Sequence, residues 1–201
     1  TLTCLFSQLC FSLLFAQASI PELRTYLEHN KSIIDSNFYK KAASLEQLAK
    51  DNKDSTNQAW AYYYMGIGKG HFRAIPQALA HLDTCIALAE QIKNYSLVGN
   101  AHLEIYYLNR YYQFRSYNLL ASLNHTESLN QIKHYYELSK DSINFVTLYN
   151  ELALNKLAGD STLSISANDY YKQALDLAYR IKDSIGYCRT LVNFMDLELR
   201  E

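Results

Sequence analysis

The stretch Gln47-Leu48-Ala49-Lys50-Asp51-Asn52-Lys53-Asp54 returns three times with loosened wording. It comes back as Ala87-Leu88-Ala89-Glu90-Gln91-Ile92-Lys93-Asn94, as Ser128-Leu129-Asn130-Gln131-Ile132-Lys133-His134 and as Asp176-Leu177-Ala178-Tyr179-Arg180-Ile181-Lys182-Asp183. The lysines at 53, 93, 133 and 182 are spaced by 40, 40 and 49 residues, and each precedes a polar step and a new apolar-periodic run. A period of that size is the mark of stacked helical pairs, in which no single pair can bury its apolar face alone. The spacing therefore predicts an all-α solenoid of antiparallel helix pairs.

Composition agrees with that reading. The 201 residues are 49% hydrophobic with only 2 Pro and 6 Gly, which suits long helices better than a turn-rich sandwich or barrel. Pro21 and Pro76 both stand where helices should begin, a place where the missing N–H costs nothing. With 19 basic and 20 acidic residues the formal net charge is -1, so no overall field gathers phosphate backbones or acidic lipids. Nucleic-acid binding through this segment is not expected.

The first eighteen residues are of another kind. Leu5 to Ala16 is a mostly apolar run ending in Ala16-Gln17-Ala18, the pattern of an export signal with a small-x-small cleavage site and too short to span a bilayer. Residues 1–18 are read as that signal, with a buried first helix or a membrane anchor as alternatives. Export places the chain in or facing the periplasm; without a working signal it would be cytoplasmic. Only Cys85 and Cys188 follow, and both read as small buried hydrophobes rather than as a disulfide.

From Ser19 onward the apolar spacing divides the chain into units of about 22–53, 54–93, 94–133 and 134–182, with a final helix at 183–201. Within them, Tyr95 to Phe114 pairs with Tyr117 to Lys133, and Tyr135 to Leu157 pairs with Leu163 to Lys182. Gly68-Lys69-Gly70 is expected to end one helix, and Gly159-Asp160-Ser161 to form a turn. Half a repeat at the end leaves Leu191, Phe194 and Leu197 as an expected apolar patch suited to self-association or to a further segment.

The unit at 54–93 resembles the tetratricopeptide repeat. Tyr62, Met65-Gly66 and Lys69 occupy the motif positions of its first helix, and Ala78, Leu82 and Cys85 those of its second. Lys69 departs from the family's tyrosine. Moving on by the lysine spacing gives Ile105-Tyr106, Phe145-Val146 and Phe194-Met195 in place of Met65-Gly66, so the glycine is lost and later pairs should sit further apart. The wording is most similar to repeats of exported or membrane-anchored bacterial proteins. That resemblance implies a protein- or peptide-binding module, in some members the sensory part of a longer signalling protein with a membrane tether and output domain beyond the repeats. The rival expectation is a structural scaffold or self-association module with no dedicated ligand.

In the family resembled, ligands lie along the first helices. Carried over through Met65-Gly66 and its equivalents, the binding positions are Tyr63, Ile67 and Gly70; Leu103, Tyr107, Arg110 and Tyr111; and Thr147, Asn150 and Glu151. The middle group is the most promising, because tyrosines give rigid contact area and Arg110 offers a donor fork. Within each adjacent tyrosine pair, one ring is expected to pack between helices and one to reach the groove or solvent. No catalytic residue, cofactor or metal site is expected. The six histidines form no ligand spacing, and Gly66-x-Gly68-x-Gly70 lacks the preceding strand of a phosphate loop.

Overall fold

The capping chemistry written around the lysines sets the architecture. In the computed structural model, which describes residues 18–113, 125–159 and 161–198, nine helices and no strand are found among the described residues. They are α1 (Ile20–Asn30), α2 (Ser36–Asp51), α3 (Ser55–His71), α4 (Ile75–Gln91), α5 (Tyr95–Gln113), α6 (His125–Ser139), α7 (Ser142–Leu157), α8 (Ala167–Ile181) and α9 (Ser184–Glu198). Each packs on the next, and non-consecutive helices such as α3 with α5 and α7 with α9 also touch. The fold is an all-helical, solenoid-like stack. The segment read as an export signal lies outside the described residues except for Ala18, as does the expected start of a helix at Tyr117.

Four two-residue steps carry the chain from one pair to the next. Lys53, Lys93, Lys140 and Lys182 all have φ between 54° and 59°, the left-handed region that side chains with a Cβ seldom occupy. The following residue then closes the helix behind it: Asp54 N donates to Ala49 O at 2.8 Å, Asn94 N to Ala89 O at 2.8 Å, Asp141 N to Tyr136 O at 3.1 Å and Asp183 N to Ala178 O at 2.9 Å. The same residue opens the helix ahead. Its side chain accepts from Asn57 N at 3.0 Å, Leu97 N at 3.2 Å, Asn144 N at 3.2 Å and Gly186 N at 2.9 Å in the four cases. A Lys-Asp or Lys-Asn dipeptide is thus both stop and start, and its cap bonds offset the backbone strain at the lysine.

This corrects the third anchor. Lys133 lies inside α6, and the lysine that ends the helix is Lys140, so the true spacing is 40, 47 and 42 residues. The third unit runs to Lys140, and the helix expected from Tyr135 to Leu157 is cut there into α6 and α7. The physical reason is capping. His134 follows Lys133 and continues the helix, whereas Asp141 follows Lys140 and caps α7. Gly68-Lys69-Gly70 likewise remains helical; α3 runs on to His71, and the chain turns beyond it at Arg73, whose φ is 59°. Pro21 and Pro76 do lie in the first turns of α1 and α4.

The core alternates aromatic and small residues between layers. Ala42, Ala49, Ala78, Cys85, Ala89, Ala174 and Ala178 are buried on second helices, and around them pack Phe38, Tyr64, Leu82 and Tyr171. Gly66 faces Leu82 so closely that an added Cβ would stand 2.7 Å from Leu82 Cγ, and Gly99 faces Tyr136 with the same consequence at 2.5 Å from Cε1. Burial splits at α5: Leu97, Val98 and Ala101 belong to the N-terminal core, while Leu103 and Tyr106 belong to the C-terminal one.

Two expectations about surfaces change. Tyr106 is buried with Tyr107 partly open, and Tyr136 with Tyr135, as expected; but Tyr170 and Tyr171 are both buried, because α8 is sandwiched between α7 and α9. The side chains of Tyr111 and Tyr112 lie outside the described residues. On α9, Leu197 is buried and Phe194 packs on Tyr171 with ring centroids 5.9 Å apart, so neither forms the open patch. That patch consists of Ile185, Leu191, Val192 and Met195, and Cys188, expected to be buried, is exposed.

Candidate functional site

Helices α3, α5 and α7 come first in their pairs and supply the face on which binding positions were expected. They are poor in charge. Helix α5 holds only Glu104 and Arg110 as formal charges in nineteen residues, and α7 only Glu151 and Lys156 in sixteen.

Arg110 and Glu151 reach one another. Arg110 Nη1 donates to Glu151 Oε2 at 2.7 Å, and Tyr107 Oη donates to Glu151 Oε1 at 3.1 Å, so both carboxylate oxygens of α7 are held from α5. The Arg110 side chain is 29% exposed and that of Glu151 12%. Burial raises the Glu151 carboxyl above its ordinary value in spite of Arg110 and the tyrosines, which pull the other way. Below the pair, Tyr106 Oη accepts from Asn155 Nδ2 at 2.9 Å. Three residues expected to meet a ligand therefore brace two helices, and only their outer edges are open.

The remaining expected positions divide. Tyr63 and Leu103 are buried, Ile67 and Thr147 are half-buried, and Tyr111 lies outside the described side chains. Asn150 is withdrawn from the face: its Nδ2 donates to Thr190 Oγ1 at 2.7 Å and to Val146 O at 2.8 Å, and its Oδ1 accepts from Asn193 Nδ2 at 3.1 Å. That network ties α7 to α9. Buried amides are satisfied in this way when two helices meet over polar positions.

Between α3 and α5 a cavity of about 200 Å³ opens, and Ile67, Gly70 and Glu104 contribute to its wall. Glu104 is not among the expected binding positions; its signal in the sequence is that it is one of two formal charges on an otherwise neutral helix. Burial lifts the Glu104 carboxyl to about 7, with Lys31 opposing weakly. Tyr63, Tyr107 and Tyr136 lie near enough to feel its charge.

Among the described residues, no group of three His, Cys, Asp or Glu side chains could hold a metal ion, and no helix is long and apolar enough to cross a membrane. No family model matches the sequence, and neither the curated proteins nor the solved structures searched give a significant match. The fold and its first-helix face define an all-helical, solenoid-like protein, and the functional argument rests on its own residues.

Proposed function

We propose that the chain is a protein- or peptide-binding module of the tetratricopeptide type, with its ligand lying along α3, α5 and α7. One observation carries the reading: Ile67, Tyr107, Arg110 and Thr147 stay half-open on charge-poor helices, and Ile67 lines a cavity that the packing leaves unfilled. Surfaces that are mostly apolar, with a few fixed polar groups, suit recognition of an extended segment. The Tyr107–Arg110–Glu151 cluster is held rigid before any ligand arrives, which lowers the entropy cost of binding. Export, and a role as the sensory part of a longer bacterial signalling protein, belong to the same proposal. They are supported by the apolar run at Leu5 to Ala16 and by the repeat wording.

The test is selection from an array of decapeptides by the full chain. Saturable capture of a sequence-related subset, weakened about tenfold by Ile67→Ser, is the expected result, one side chain in an apolar contact being worth roughly that much. Capture of nothing, or capture indifferent to Ile67, would reject the proposal.

A second reading has its own observation. Helix α9 exposes Ile185 (74%), Val192 (66%) and Met195 (55%) at helical spacing, a stripe of the kind that a further helix or a second copy would cover. Sedimentation of the full chain against Val192→Lys separates the two: dimers lost in the variant would favour scaffolding or self-association, and a monomer in both leaves the recognition reading in front.

A further inference from the structure

The first-helix face carries a carboxylate that no described residue pairs with. Glu104, in the middle of α5, lies half-buried in the cavity wall and has no hydrogen bond or ion pair among the described residues. Lys31, the cation that bears on it, is already held by Glu28 at 2.5 Å. A buried ionised carboxylate without a partner is unfavourable, so such a group either takes up a proton or receives a cation from elsewhere.

The cavity beside it is shaped for one side chain. Its about 200 Å³ is less than the roughly 300–1,000 Å³ usual for pockets that enclose a small organic ligand. Ile34, Ile67, Leu82 and Leu108 supply apolar wall, and Glu104 the only carboxylate of the lining. Two glycines keep the space open. A Cβ on Gly70 would stand 2.8 Å from Leu108 Cδ2, and one on Gly66 2.7 Å from Leu82 Cγ, so a larger residue at either place would press the opposite leucine. Apolar walls ending in an anion match a side chain with a methylene stem and a cationic head.

Resting on the peptide-binding reading, we propose that Glu104 and this cavity seat a lysine or arginine side chain of the bound segment. The cation pairs with a carboxylate that no described residue holds, and the apolar stem fills space that water would otherwise occupy. Specificity then follows from an unpaired group, because a neutral side chain in the same place leaves the carboxylate unsatisfied.

The decapeptide array is scanned at every position with the full chain, with Glu104→Gln and with Gly70→Ala, each shown to be folded by thermal unfolding. The expected result is that the full chain selects Lys or Arg over Gln at one position flanked by apolar residues. In Glu104→Gln that preference falls about tenfold or more while the flanking selection stays, as when one member of a desolvated charge pair is removed. Gly70→Ala keeps the carboxylate but crowds the cavity, and weakens the same position alone. Peptides selected without a cation preference would overturn the seat for the cation and leave the groove standing; selection of no peptide would overturn both. Calorimetry with n-butylammonium adds a last arm, since a free amine that binds as tightly as the best peptide would make this a small-amine site and overturn docking of a segment.

Discussion

Arg110 Nη1 stands 2.7 Å from Glu151 Oε2, and this pair joins the first helix of one repeat to the first helix of the next. Lys31–Glu28, Lys133–Glu137 and Arg180–Asp176, by contrast, each lie within one helix or one turn of its end. The C-terminal core thus begins at a polar brace, with Tyr107 as its third member.

Breaking one side of that brace should cost more than removing it. Arg110→Met leaves a mostly buried carboxylate and is expected to lose about 2 kcal/mol in urea unfolding at pH 7, less than a fully buried pair because Arg110 is partly exposed. Arg110→Met combined with Glu151→Met should recover most of the loss. Equal, additive losses would contradict the brace.

The position of the third anchor has a test with opposite signs. Lys140 adopts a left-handed backbone that glycine tolerates freely, so Lys140→Gly should leave stability unchanged or raise it by up to about 1 kcal/mol. Lys133→Gly places glycine inside α6 and should lower stability by about 1 kcal/mol. Asp141→Ala removes the cap of α7 and should cost about 1 kcal/mol. The reverse order for the two lysines would restore Lys133 as the anchor.

Gly99→Ala is expected to destabilise the chain by about 1–3 kcal/mol in spite of alanine's better helix propensity, because the new Cβ would meet Tyr136 at 2.5 Å. Tyr136 cannot swing away without giving up the bond from its hydroxyl to Asn100 Oδ1 at 2.9 Å and opening the core. Thermal unfolding reads the effect, and a gain in midpoint would show that the ring moves freely.

The Glu104 carboxyl goes from an ordinary 4.5 in the unfolded chain to about 7 in the folded one. The folded state therefore binds the extra proton between those values, and stability falls as pH rises from about 4.5 through about 7. The groups facing Glu104 are Lys31 from the end of α1, His71 and Tyr63 from α3, Tyr107 on its own helix and Tyr136 from α6. Comparing Glu104→Gln with the parent isolates its share: the variant should be more stable by about 2 kcal/mol at pH 8, and the difference should vanish below about pH 4. A difference that does not change with pH would mean that Glu104 titrates normally.

Two cysteines make a simpler contrast. Cys188 is exposed and should react with a thiol reagent in the native chain, while Cys85, buried and with its thiol pushed up to about 12 by that burial, should react only on unfolding. Equal rates would place α4 nearer the surface than described.

Much of this architecture was legible because periodicity and caps are local. Lys53-Asp54, Lys93-Asn94 and Lys182-Asp183 announce helix ends by their own chemistry, and Pro21 and Pro76 announce starts. The third anchor is misleading in the sequence because Leu129-Asn130-Gln131-Ile132-Lys133 copies the apolar wording of a helix end without the cap that Asp141 supplies after Lys140. The slip from Lys140 to Lys133 is seven residues, close to two helical turns, so it rotates a helix face by only about 20°. That is why Glu151, reached through the wrong anchor, still turns toward Tyr107 and Arg110. What could not be read was partnership: that Asn150 is taken by Thr190 and Asn193, and that Glu104 has no partner among the described residues, depends on which helix lies opposite.

The most direct test of the recognition reading is a methyl NMR titration of the full chain with the decapeptide that the array selects most strongly. The account predicts shifts at Ile67, Leu103 and Leu108, on α3 and α5 around the cavity. Shifts confined to Ile185, Leu191 and Val192 on α9, with the cavity methyls unmoved, would contradict it and make the open end of the stack the binding surface.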